Sequence, residues 1–73
     1  MTLSCLQKGH SATITAIHAD KILKNRFNAF GLTKGSTVYA TQYSLAKQTM
    51  EIRINKTRMA LRLSEAKNIE ISA

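Results

Sequence analysis

Cysteine occurs once, at Cys5, so no internal disulfide can form and no four-thiolate zinc site can be built. A reduced compartment is the economical reading. Tryptophan and proline are absent. Without tryptophan, a groove for proline-rich peptides loses the aromatic cluster it needs. No apolar run approaches the ~20 residues that a membrane span requires. The N-terminal stretch "MTLSCLQKGHSATIT" also lacks the uninterrupted apolar core of a signal peptide. The expectation is a soluble, cytoplasmic protein that is neither exported nor inserted into a membrane.

Acidic residues are scarce as well: four, against eleven Lys and Arg, for a formal charge of +7. Such an excess attracts nucleic acid, an anionic membrane surface or an acidic protein face. It is also compatible with plain solubility. At 73 residues the chain reads as one domain spanning residues 1–73, near the lower size limit for a core without staples. A hydrophobic fraction of 44% with 21% charged residues favours a compact fold over a disordered tail.

The spacing of Leu3 and Leu6 in "LSCLQKG", with Gly9 as a stop, predicts a short helical turn or ordered loop. "SATITAIH" is rich in β-branched residues and reads as a first strand. Ile14 and Ile17 fall on opposite parities, which points to a bulge. Asp20 is placed to cap a helix running to Phe30. Leu23, Phe27 and Phe30 form its apolar stripe, widened by Ile22 and Ala29, with Lys21 and Lys24 on the far side. Arg26 lies at the edge of that stripe, where a structural tie to a carboxylate or a carbonyl is expected.

Two of the three glycines lie in "FNAFGLTKGSTV". Gly31 falls where a helix ending at Phe30 needs a left-handed residue, and Leu32 follows as the apolar residue that folds back. Gly35 suits the third position of a "TKGS" turn. A phosphate loop runs strand, glycines, helix, with lysine after the last glycine. Here the helix comes first and Lys34 precedes Gly35, so these glycines are structural turns.

A strand, "STVYATQY", follows, and then the most regular part of the chain. "TMEIRIN" sends Met50, Ile52 and Ile54 to one face; "KTRMALR" sends Thr57, Met59 and Leu61 inward and Arg58, Ala60 and Arg62 outward. A two-residue turn at Asn55-Lys56 would pair Ile54 with Thr57, Ile52 with Met59 and Met50 with Leu61, although Lys56 lacks glycine's tolerance for positive φ and a slightly longer turn stays open. "SEAKN" reads as one helical turn from Ser64, and "NIEIS" as a last strand with Ile69 and Ile71 inside. The fold class is mostly β: about five short strands, a helix between the first two and a helical turn before the last. Strands this short and curved suggest a small barrel that removes its own edges.

The same register sets Arg53 opposite Arg58, with Glu51 diagonal to Arg58 and Arg62. Like charges directly across a ladder are destabilising. Either the face is merely solvated and screened, or it docks an acidic partner. Cys5, His10 and His18 show no metal-ligand spacing, and Cys5 has no acid–base pattern beside it, so neither a metal centre nor an enzyme is expected. Tyr39 and Tyr43, read as sharing one strand face, leave open a barrel that stacks single-stranded nucleic acid.

In this order the segments "LQKGHSATITAI", "RFNAFGLTKGSTV", "EIRI" and "MALRLSEAKNIEI" resemble the FeoA family, ferrous iron transport protein A, from about Leu3 to Ile71. The family commonly has proline where this chain has Lys34, and a loop richer in proline and glycine where it has "SLAKQ". The resemblance implies an SH3-like barrel and a non-enzymatic cytoplasmic accessory of bacterial Fe²⁺ uptake. It implies contact with the membrane permease FeoB, through that protein's GTP-binding domain. The domain type also ends iron-dependent repressors, and a chain starting at Met1 favours the transport accessory. A transition-metal-binding label is general to the family, and no ligand set here matches it; no cofactor is expected. The contact residues expected are Lys21 and Lys24 of the helix and Arg53, Arg58 and Arg62 of the hairpin. Oligomeric state stays open, since an exposed barrel edge could pair with a copy of itself, and the alternative function is a basic nucleic-acid-binding barrel.

Overall fold

The alternation of "TMEIRIN" and "KTRMALR" becomes a hairpin in the computed structural model, which describes residues 1–72. Strands β3 (Thr49–Ile54) and β4 (Thr57–Arg62) pair with Ile54 opposite Thr57, Ile52 opposite Met59 and Met50 opposite Leu61, the expected register. Of the turn residues only Asn55 takes positive φ, at 55°, a conformation asparagine tolerates. Lys56 is spared it, which is why a turn without glycine closes here.

The other elements are a 3-10 turn (Leu3–Cys5), β1 (Ser11–Ile17), α1 (Lys21–Ala29), β2 (Thr37–Ser44), α2 (Leu63–Ala66) and β5 (Ile69–Ser72). The five strands form one antiparallel sheet in the order β4-β3-β2-β1-β5. In β1 the register shifts between Ile14 and Ala16 against β5, so the parity conflict of Ile14 and Ile17 is resolved by the expected bulge. A second shift, between Ala40 and Gln42 against β3, has no parity signal in the sequence.

Inward apolar residues of every strand meet in one core with Leu3, Leu6, Phe27 and Leu32, while Thr57, expected inward, is exposed beside the turn; among the described residues no polar side chain is buried. The helix contributes less than its apolar pattern suggests. Phe27 is fully buried and Leu23 packs at the rim, but Ile22 is 83% exposed and Phe30 41%. Phe30 is displaced because the chain reverses at Gly31, φ 84°, and Leu32 takes the core position instead. The Leu32 N–H donates to the Phe27 carbonyl (2.9 Å) and the Gly31 N–H to that of Asn28 (3.0 Å), a complete Schellman ending. Gly35, φ 93°, occupies the third position of the turn closed by Ser36 N–H to the Thr33 carbonyl.

Two expectations need correction. α2 begins at Leu63 rather than Ser64, because the Glu65 carboxylate reaches back to the Arg62 backbone N–H at 3.0 Å and draws the start one residue earlier. The sheet also keeps one edge. Thr2 pairs with Glu70, and the Ile71 N–H donates to the Met1 carbonyl, so the N-terminal segment covers β5. Among the described residues no backbone pairs with the outer side of β4, which leads straight into α2.

Candidate docking face

All four carboxylate side chains are engaged within the fold. Asp20 caps α1, accepting the Leu23 N–H at 2.8 Å. Glu51 accepts the hydroxyl of Thr41, the extra residue of the β2 bulge, at 2.8 Å. Glu65 caps α2 and lies 3.7 Å from the Arg26 guanidinium, the expected tie, joining the two helices. Glu70 pairs with His18 across β5 and the end of β1. The hydrogen bond from His18, and then its charge, hold the Glu70 carboxyl below the usual carboxylate range.

Among the described residues none of the hairpin's cations has a carboxylate within ion-pair distance. Arg53 and Arg58 are cross-strand partners on the outer face, and Arg62 is opposite Thr49 on the same face. The ion pairs among the described residues are His18–Glu70 and Arg26–Glu65, neither of which involves these arginines. Glu51, diagonal to Arg58 and Arg62, is turned to Thr41 instead. Arg53 lies over the ring of Tyr39, its partner on β2, 4.8 Å from the centroid. That contact holds one guanidinium against the sheet and leaves Arg58 and Arg62 exposed. A polar groove of about 360 Å³ runs alongside, lined by Gln42, Lys47, Thr49, Glu51 and Ala60 among others.

The two helix lysines are placed elsewhere. Lys24 lines a groove of about 340 Å³ between α1 and β1, with Asn28 and Lys34. Lys21 is exposed in the first turn of α1. Neither shares a groove with the hairpin arginines. Gly31 and Gly35 act as turns.

The pairing of Tyr39 with Tyr43 as a stacking platform is overturned. The bulge at Thr41 sends Tyr43 opposite the buried Met50, while Tyr39 stays outside opposite Arg53. The Tyr43 hydroxyl donates to the Leu6 carbonyl, and burial, with Cys5 nearby, pushes its pKa up. Without two aromatics on one face, single-strand stacking loses its structural basis. The role of Tyr39 under Arg53 was not anticipated; the cross-strand register alone would have shown it had the bulge been visible.

For a metal, the described residues contain no group of three His, Cys, Asp or Glu side chains placed to hold an ion. Cys5 is exposed, and His18 is committed to Glu70. The donor set does not fit a resident metal centre. Among the described residues no helix is long and apolar enough to cross a membrane.

The FeoA domain family matches residues 1–73. The chain belongs to the FeoA family. It is 36% identical over 72 residues to a Fe(2+) transport protein A of Campylobacter jejuni, covering 99% of this chain and 97% of that one. It superposes on the zinc-complexed FeoA of Stenotrophomonas maltophilia, described as an SH3 domain protein, with a TM-score of 0.83. The two are 30% identical, covering 99% of this chain and 89% of that one. With the FeoA of Chlorobium tepidum the TM-score is 0.90 at 25% identity, covering 97% of this chain and 68% of that one. The fold is therefore the SH3-like one expected, and the role is that of an accessory in ferrous iron transport.

Proposed function

We propose that this FeoA protein works in the cytoplasm as a non-enzymatic regulator of the FeoB permease, by docking on its GTP-binding domain. The observation that carries this reading is the row of Arg53, Arg58 and Arg62, which have no ion-pair partner among the described residues while the four carboxylate side chains are bonded elsewhere. A sheet that sets two arginines opposite each other gives up some stability at that position. An acidic partner face would recover it and would steer encounter as well. Lys21 and Lys24 extend the positive field as a second, separate contact.

The test is a pull-down of the isolated GTP-binding domain by the folded chain at low and at high salt. Capture at low salt that weakens at high salt is the expected result. No capture in either condition, with the fold verified, contradicts the reading.

A further inference from the structure

β4 ends the sheet order, and the part of the hairpin farthest from the other strands is also the most basic. The two-residue turn makes Ile54–Thr57 a hydrogen-bonded pair, so Thr57, Met59 and Leu61 direct their backbone groups to β3. The N–H and C=O of Arg58 and Ala60 therefore point away from the sheet. Arg62 confirms the phase: its N–H, also turned away from β3, is taken by Glu65. Arg58 and Ala60 are both exposed, and among the described residues no backbone bond occupies their outer side. Natural sheets seldom leave such an edge uncovered unless a device blocks it.

The geometry points to this edge as the seat of an added strand: an extended acidic segment of the partner, pairing antiparallel with Arg58 and Ala60. This rests on the reading that the hairpin's basic face is a docking surface, and it gives that surface a mode of recognition. Charge selects the occupant. If two copies of the chain paired β4 to β4 antiparallel about Ala60, Arg58 of each would face Arg62 of the other, a double like-charge contact. The arginines thus guard the edge against self-pairing and admit a strand of opposite sign. Alternation fixes the pattern of the guest. Residues opposite Arg58 and Arg62 face outward and are acidic, and those opposite Met59 and Leu61 face the core side and are apolar.

The probe is a synthetic peptide carrying Glu-Val-Thr-Val-Glu between Gly-Ser flanks, added to the isotope-labelled full chain and read by amide hydrogen exchange. Its control has lysine at both glutamate positions. Slowing of the Arg58 and Ala60 amides by about tenfold or more with the acidic peptide, and none with the lysine control, is the expected result. Ala60→Pro removes the edge N–H while leaving the β3 ladder intact, since proline is tolerated where the N–H faces solvent. It should abolish binding with the β3–β4 register unchanged. Failure of the acidic peptide to slow these amides overturns the inference, as does undiminished binding to Ala60→Pro. Slowing that depends on the chain's own concentration without peptide means self-pairing, and overturns it too. Repeating the measurement with the GTP-binding domain separates the two readings. Binding that spares these amides keeps the docking surface but removes the added strand; no binding, with the peptide still active, does the reverse.

Discussion

Arg53 of β3 and Arg58 of β4 stand directly opposite each other on the outer face of the hairpin, while the carboxylate of the neighbouring Glu51 is bonded to Thr41. The fold had a counter-charge within diagonal reach and committed it elsewhere. That relationship gives opposite expectations for stability and for binding, which is what makes it informative.

Replacing Arg58 by Glu converts a repulsive cross-strand pair into an attractive one. Urea denaturation should show stability unchanged or raised, by roughly 0.2–1 kcal/mol. Salt-dependent binding to the GTP-binding domain should fall at the same time. Loss of stability together with binding would mean that the arginine is structural.

Gly31 is required for its conformation and not for space, since an added Cβ would lie 3.7 Å from Ile54 Cγ2, an ordinary contact. Gly31→Ala should cost about 1–2 kcal/mol through the left-handed backbone alone. Gly31→Asn should cost less, because asparagine tolerates that region. Equal losses in thermal melts would point to packing instead.

Tyr43→Phe removes the hydrogen bond to the carbonyl of Leu6, a residue only 4% exposed. Leaving that acceptor unpaired should cost about 1–3 kcal/mol. In the intact protein the phenol should ionise above the ordinary tyrosine range in a spectroscopic titration, burial being the main cause.

Glu70 is held below the usual carboxylate range by its hydrogen bond from His18 and then by that residue's charge. A folded-state pKa below the unfolded one, about 4.3, contributes stability that is present above that value. The contribution disappears as pH falls through the lower folded value. Carboxyl NMR should find the Glu70 midpoint depressed in the native chain and restored toward the ordinary range in His18→Ala. An unchanged midpoint would remove the pair from the account.

The legible parts of the fold were those where one local rule acts alone. Alternation over Met50–Ile54 and Thr57–Leu61 gave the hairpin register, and Asp20 and Gly31 gave both ends of α1. The helix stripe was overdrawn because a 3.6-residue period marks which residues share a side, not how far a nine-residue helix overlaps the sheet. Ile22 lies beyond that overlap, and Leu32 displaces Phe30. The bulge at Thr41 was illegible, since "YATQY" keeps polar residues where a shift of parity would show, and it alone separates Tyr39 from Tyr43. The free edge of β4 depends on which segment covers which strand, a tertiary fact with no local signature.

The most direct test of the docking face is a calorimetric titration of the isolated FeoB GTP-binding domain with the wild-type chain and with Arg58→Glu, in one low-salt buffer. Binding by the wild type, weakened at least tenfold in a variant that is equally or more stable, is the expected result. Equal affinity of the two proteins would contradict the claim that the hairpin's uncompensated arginines are the surface FeoB meets.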